Sequence, residues 1–137
     1  MPTPPKRDDV RVVHEPVVAD DPSSTDRPDG EPIELASTVE TADSIFSQGR
    51  GLMFRRSIPD EYALAFRFDR AKTRDVHMLF VCFPIDVVWV VDGTVERVEG
   101  LSPWRGFARA SADLIVELPA GAAADVSPGD RVYLDEA

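Results

Sequence analysis

The sequence is poor in the residues that build most catalytic and metal centres. Its 137 residues include one cysteine and two histidines, too few for an internal disulfide or for a Cys/His zinc site with four ligands. The cysteine, Cys82, lies in an apolar run, which favours a small buried side chain. A phosphate-binding loop, a dinucleotide fingerprint and a Gly-x-Ser-x-Gly nucleophile turn are also missing. We therefore expect neither a metal nor a cofactor.

Lysine is almost absent as well. Only two lysines accompany 13 arginines, 16 aspartates and nine glutamates, and the formal net charge is −10. A chain this acidic repels the phosphates of nucleic acids and of anionic membranes, so we expect it to bind neither. Many short carboxylates with few lysines are typical of proteins in concentrated salt, where a Debye length of ~3 Å at 1 M screens their repulsion. The composition favours a halophilic protein; the alternative is an acidic mesophilic protein from a GC-rich genome.

Long apolar runs are missing too. No run reaches the ~18 apolar residues of a membrane-spanning helix, because Pro84 and Asp86 interrupt the longest one, residues 76–91. The first residues, Met-Pro-Thr-Pro-Pro-Lys-Arg, lack the apolar segment of a signal peptide. We therefore expect a soluble, cytoplasmic protein that is a monomer or a weak oligomer.

What the sequence does contain is a series of short strand patterns. Its length predicts one β-rich domain over residues 10–135, preceded by a flexible tail at 1–9 and interrupted by a flexible loop near 20–30, where turn-forming residues cluster. Alternating apolar residues predict seven or eight strands, and Asp92-Gly93 is the strongest hairpin signal. The polar stretch 69–74 is predicted to be a loop.

One helix is predicted after Ser37. Residues 37–40, Ser-Thr-Val-Glu, have the pattern of a capping box, and an apolar face at helical spacing follows up to Phe46. Gly49 and Gly51 would end this helix. We therefore predict an α+β domain: a mostly antiparallel, strongly curved sheet or small barrel with one packed helix.

Asp86 is the first candidate site residue. A carboxylate between Ile85 and Val87 is costly to bury unless it is paired or hydrogen-bonded. Arg55 is the expected partner, because a guanidinium can hold a carboxylate with two hydrogen bonds. We favour a structural ion pair between Arg55 and Asp86 over a catalytic role for Asp86.

Four other side chains are candidates whose roles we weigh one by one. Trp104 begins an aromatic and cationic loop, which either binds a ring, a sugar or a protein partner or closes one end of the sheet. His77 is expected to be a structural histidine, although with a nearby carboxylate it could act as an acid or base. His14 is predicted to be an exposed strand residue. Simple alternation along residues 114–118 places Glu117 on a solvated face.

Several short motifs occur together in one order. They are Gly-Leu-Met-Phe-Arg at 51–55, Pro-Ile-Asp-Val-Val-Trp-Val at 84–90, Asp-Gly at 92–93, Val-Glu-Leu-Pro-Ala-Gly at 116–121 and Gly-Asp-Arg-Val at 129–132. Over about residues 33–134 the chain resembles the family known as domain of unknown function 192, in an acidic form similar to those of halophilic archaea. The resemblance implies a small β-rich domain and no established reaction.

The chain departs from that family at residues 77–81. The family pattern there is Trp-Met-Lys-Asn-Thr, whereas this chain has His-Met-Leu-Phe-Val. Met78, Pro84 and Asp86 fit the pattern, but the three polar residues are replaced by apolar ones. A site that depended on those polar groups would be lost here.

Two functions from different classes fit these observations. The first is a non-catalytic module that binds a small ligand or a protein segment in a cleft bordered by Arg55, His77, Asp86 and Trp104. The alternative is an enzyme of the hydrolase or lyase type that uses Asp86 with His77 or Glu117. A structural subunit kept soluble by its acidic surface is a third possibility.

Overall fold

The computed structural model describes residues 10–17, 31–42 and 56–136. Within these ranges eight strands form a single sheet and there is no helix. The strands are β1 (Val10–Glu15), β2 (Ile33–Ala36), β3 (Thr38–Ala42), β4 (Tyr62–His77), β5 (Ile85–Val91), β6 (Thr94–Leu101), β7 (Phe107–Pro119) and β8 (Arg131–Glu136). The predicted flexible tail at 1–9 and the predicted loop near 20–30 lie outside the described residues.

The order of strands across the sheet is β2-β1-β8-β6-β5-β7-β4-β3. All neighbouring pairs are antiparallel except β3 and β4, which run parallel. β2 and β3 form the two edges, so the sheet is open. The mostly antiparallel sheet was predicted correctly, and the alternative of a closed small barrel is wrong.

The predicted helix is also wrong. Residues 38–42 form β3, in which Val39 pairs with Ala63 and Thr41 pairs with Ala65 of β4. The β-branched residues in this segment fit a pleated strand better than a helix, and pairing with β4 outweighs the weak local capping signal. Residues 43–48, the rest of the predicted helix, lie outside the described part of the chain. The described residues also contain no helix long and apolar enough to cross a membrane.

The longest strands, β4 and β7, fold back over the sheet. Their register shifts between Arg67 and Lys72, where the ladder bends. Beyond the bend, the indole Nε1 of Trp89 donates to the carbonyl of Arg74 at 3.2 Å. The polar stretch 69–74 is therefore part of β4 and not the predicted loop, and the outer halves of β4 and β7 cover the face of the sheet that carries Trp89.

Both faces of the central strands are buried. Val87 and Trp89 belong to one apolar core, whereas Val88 and Val90 belong to a second core on the other face. This explains the continuous apolar sequence of β5, since a strand covered on both sides does not alternate. The Asp92-Gly93 hairpin is confirmed between β5 and β6.

Candidate functional site

Asp86 fastens a loop to the sheet. It lies on β5, half-buried, and its Oδ2 accepts hydrogen bonds from the backbone amides of Gly121 at 3.0 Å and Ala123 at 2.9 Å. These amides belong to the connection between β7 and β8, which Asp86 therefore holds against β5. Arg55 lies outside the described residues, so its ion pair with Asp86 stays a prediction.

His77 ends β4 and is exposed. Its Nδ1 accepts a hydrogen bond from the amide of Leu79 at 3.3 Å, and this local contact orients the ring. Among the described residues, no hydrogen bond or ion pair joins His77 to Asp86 or Glu117. The described geometry thus supplies no contact on which an acid–base pair of Asp86 with His77 could rest.

Trp104 lies beside Phe80 at one end of the sheet. Their ring centroids are 5.3 Å apart at an interplanar angle of 66°, an edge-to-face contact. The side chains remain 37% exposed for Phe80 and 49% exposed for Trp104. We call these two residues the aromatic platform. Phe80 was not singled out from the sequence, because it lies within the apolar run 76–91. Cys82 in the same run is exposed, so the prediction of a buried cysteine was wrong.

The backbone beneath the aromatic platform is held by hydrogen bonds between two loops. The amide of Trp104 donates to the carbonyl of Val81 at 3.1 Å, and that of Met78 donates to Gly106 at 3.0 Å. Gly106 is required here, because a Cβ at this position would lie 2.7 Å from Cγ of Met78 and 2.8 Å from the carbonyl oxygen of Ser102. The platform therefore rests on a fixed support.

Both platform residues have a left-handed backbone conformation. The φ angles are 64° for Phe80 and 66° for Trp104. This region costs a non-glycine residue about 1–2 kcal/mol, and Asn tolerates it better than aromatic residues do. In the family pattern an Asn stands at the position of Phe80, so the replacement places a large apolar side chain on a backbone that suits Asn.

Glu117 is buried, with 8% of its surface exposed. It lies on β7 between Leu64 of β4 and Val87 of β5, and no described residue forms a hydrogen bond or an ion pair with it. Burial raises the pKa of its carboxyl from 4.5 to about 8, so the group is protonated at neutral pH. The predicted solvated face is wrong, because its strand neighbours Leu64 and Val87 belong to the first apolar core, which covers this side of the sheet.

A second acid lies on the same face as Glu117. Glu40 of β3 is paired with Leu64, which is paired in turn with Glu117, so the two acids flank Leu64 with about 10 Å between their backbones. The hydroxyl of Tyr62 donates to Glu40 at 2.8 Å. Glu40 was missed because it was assigned to the predicted helix.

His14 is fully buried, so the prediction of an exposed histidine is wrong. Its Nε2 lies 2.8 Å from Oδ2 of Asp130, while Asp130 accepts hydrogen bonds from the amides of Val17 and Ser127. Burial alone would raise the pKa of Asp130, but these three hydrogen bonds together lower it. Nδ1 of His14 is buried and has no hydrogen-bond partner in the described part of the chain. The contact between His14 and Asp130 ties β1 to the loop before β8.

Metal binding finds no support in the described ranges, where no three acidic, cysteine or histidine side chains are grouped to hold an ion. The candidate residues instead separate into the aromatic platform, the Asp86 tether and the buried acid Glu117. Of these three groups, the platform presents two large aromatic side chains to solvent.

Comparison with known proteins gives a fold and a family. No curated protein matches the chain. A structure from Sinorhizobium meliloti 1021, provisionally described as a transcription regulator, has a TM-score of 0.70 at 24% identity and covers 90% of this chain and 92% of its own. A protein of unknown function from Novosphingobium aromaticivorans DSM 12444 has a TM-score of 0.68 at 22% identity. This match covers 90% of the present chain and 83% of the other. Such identities show a shared fold alone.

The family is shown by the sequence itself. The profile of DUF192, described as an uncharacterized ACR, matches residues 25–134. That range includes β2 to β7 and most of β8, together with Asp86, Glu117 and the aromatic platform. The chain therefore belongs to the DUF192 family.

Proposed function

We propose that this protein is a non-catalytic binding module that holds a protein segment or a small ligand on the aromatic platform. The observation that carries the proposal is the pair of half-exposed rings on a strained but well-supported backbone. Exposed aromatic side chains in fixed positions are typical anchors of binding surfaces, because they bury much apolar area with little loss of side-chain entropy. Strain kept at such a place points to a function rather than to folding.

Neighbouring side chains extend the platform. Leu79 is 50% exposed and is next to Phe80 in the chain, while Phe107 is 56% exposed and is paired with His77. An apolar segment of a partner could cover Leu79 together with the two rings. Asp86 is not part of this surface, since its carboxylate is engaged by backbone amides.

The test is a peptide selection in molar KCl. A displayed library of random dodecapeptides is selected on the wild-type protein, and the enriched peptides are measured against Trp104→Ala. We expect enriched peptides to be rich in apolar residues and to bind Trp104→Ala at least about tenfold more weakly. The control is Ile33→Ala, which removes a side chain of similar exposure, 46%, from the edge strand β2. Peptides that bind both variants equally well would refute the platform.

An enzyme is the second candidate, and Glu117 is the observation that favours it. A carboxyl group with a pKa near 8 can donate a proton at neutral pH, and such groups occur in active sites. A panel of chromogenic esters, glycosides and phosphates offered to wild type and to Glu117→Gln tests this alternative. Turnover that Glu117→Gln abolishes and Glu99→Gln keeps would support it; absence of turnover, or equal turnover by both variants, would refute it.

The acidic surface supports a further proposal: the protein works in a cytoplasm that contains concentrated salt. Self-repulsion at a net charge of −10 is weakest where salt screens it. Thermal melts from dilute buffer to 3 M KCl test this. A midpoint that rises with salt supports the proposal, whereas a flat series refutes it.

A further inference from the structure

A cleft on the second face of the sheet contains none of Phe80, Trp104, Asp86 and Glu117 in its lining. It has a volume of about 320 Å³ and is bordered by β4, β7, the turn between β5 and β6, and β8. It exists because β8 pairs with β6 only at Thr94 and Arg131, so that the rest of β8 diverges from β6. This size falls at the lower end of the range for small-molecule sites, about 300–1,000 Å³.

The floor of the cleft is apolar. Val90 of β5, Leu114 of β7 and Val132 of β8 line it, and all three belong to the second core. The side chain of Phe68 lies at one wall, where the guanidinium of Arg74 stacks over its ring at 3.4 Å. A floor of this kind favours the apolar body of a ligand, such as a ring or a branched chain.

The rim carries one cation whose partner can be exchanged. Nη2 of Arg67 donates to Glu136 at 2.6 Å across the cleft, from β4 to β8. Both side chains are about half exposed, 47% and 55%, so the ion pair contributes little to stability and is screened by salt. Arg67 forms no other hydrogen bond with a described residue, which leaves its remaining N–H groups for a second acceptor.

Besides Glu136, the rim carries a second anion. Asp113 lines the cleft. Its Oδ2 accepts a hydrogen bond from the backbone amide of Asp92 at 3.0 Å, which holds the carboxylate at the hairpin turn. The carboxylate of Asp113 would repel the second negative group of a doubly charged ligand. A ligand with a single negative group can place that group on Arg67. The arrangement therefore selects for a single negative group.

We propose that the cleft binds a small monocarboxylic acid with an aromatic or branched aliphatic body. The carboxylate replaces Glu136 on Arg67 and forms a two-bond pair with the guanidinium. The body lies on Val90, Leu114 and Val132. No platform residue takes part, so this site stands or falls independently of the aromatic platform.

The experiment titrates benzoate and phenylacetate into the full-length protein and follows its amide resonances by NMR at low and molar KCl. We expect saturable shifts at Gly93 and Leu134, with none at Phe80 or at the indole of Trp104. Arg67→Gln should weaken binding about 10–100-fold, the value of charge-assisted hydrogen bonds. Glu136→Gln should tighten binding several-fold, because it removes the competing carboxylate.

Two controls make the outcome decisive. Arg109→Gln removes an exposed arginine that pairs with Asp75 outside the cleft, and it should bind benzoate like the wild type. Benzamide, which has the same ring without the charge, should bind at least about tenfold more weakly than benzoate. Equal affinity of benzoate for wild type and Arg67→Gln, equal affinity for benzamide, or no saturable shift in the cleft would each overturn the proposal.

Discussion

At the scale of single residues, Phe80 makes one unfavourable and one favourable contribution to the stability of the fold, and the two can be measured separately. Its left-handed backbone costs about 1–2 kcal/mol, while an edge-to-face aromatic pair contributes about 0.5–1.5 kcal/mol. The two terms are similar in size and opposite in sign, so Phe80→Asn relieves the backbone strain but loses the contact with Trp104. Sequence reasoning could not find this, because nothing in an apolar run reveals a positive φ.

The two terms separate in a second background. In Trp104→Ala the contact between the two rings is already lost, so Phe80→Asn should be more favourable in this background than in the wild type, by about 0.5–1.5 kcal/mol in urea denaturation. Leu79→Asn in the same background serves as the control, since Leu79 is exposed but has no left-handed backbone. An equal effect of Phe80→Asn in both backgrounds would show that the contact between the two rings contributes nothing to stability.

Glu117 predicts a dependence of stability on pH. Its pKa is about 8 in the folded state and 4.5 when unperturbed, so between these values the folded protein holds a proton that the unfolded chain has lost. Glu117 therefore makes its full contribution to the free energy of unfolding below pH 4.5. This contribution is lost as the pH rises to 8, at ~1.4 kcal/mol per pH unit. By pH 7 the loss amounts to about 3 kcal/mol.

Replacing Glu117 by Gln removes this pH-dependent contribution to stability, because Gln does not ionise. We expect the difference in unfolding free energy between Glu117→Gln and wild type to increase from pH 4.5 to 8 in favour of the variant. Glu99→Gln is the matched control, since Glu99 is also paired with Val87 but is half exposed and bonded to Arg97. A difference that stays constant over this pH range would show that Glu117 ionises normally.

At the scale of elements, Asp86 joins β5 to the connection between β7 and β8. Asp86→Ala loses two hydrogen bonds from backbone amides to a charged acceptor, so it should destabilise the protein by about 2–4 kcal/mol. Asp86→Asn should cost less, because its amide oxygen can still accept. Urea denaturation gives the free energies, and hydrogen exchange at Gly121 and Ala123 gives the local effect.

Asp125→Ala is the control for this element. Asp125 lies in the same connection and is exposed, so its loss should stay within about 0.5 kcal/mol. An unchanged stability of Asp86→Ala together with lost binding of a ligand would instead make Asp86 a site residue. The partner predicted for Asp86 was an arginine, whereas the partners in the described residues are backbone amides, which no side-chain pattern in the sequence reveals.

Element prediction was accurate where the local signal and the pairing agree. The number of strands and the β5–β6 hairpin follow from alternation and from Asp92-Gly93. It was wrong at β3, where a capping pattern competes with parallel pairing to β4, and at Glu117, where alternation assumes one solvated face. Both errors have one cause: the sequence of a single strand does not encode which distant parts of the chain pair with it or cover it.

At the scale of the whole molecule, the chain carries a net charge of −10, and several of the described carboxylates are exposed. Such charges should destabilise the folded state in dilute buffer and should matter little at high salt, where the Debye length falls to ~3 Å. Sequence analysis supplies the total charge correctly, but only the structure identifies which acids can be changed without breaking a hydrogen bond. Asp60, Glu96 and Asp125 are exposed and form no ion pair with a described residue.

Changing these three acids to lysine tests the role of charge directly. Because each substitution changes the charge by two, the triple variant has a net charge of −4 in place of −10. We expect it to melt several degrees higher than wild type at 50 mM KCl and at the same temperature at 3 M KCl, since salt removes the repulsion that the variant relieves. Asp60→Glu, Glu96→Asp and Asp125→Glu together form the control, which keeps the charge and should follow the wild type at every salt concentration. An equal gain for the lysine variant at both salt concentrations would mean that local contacts, and not long-range repulsion, set the salt response.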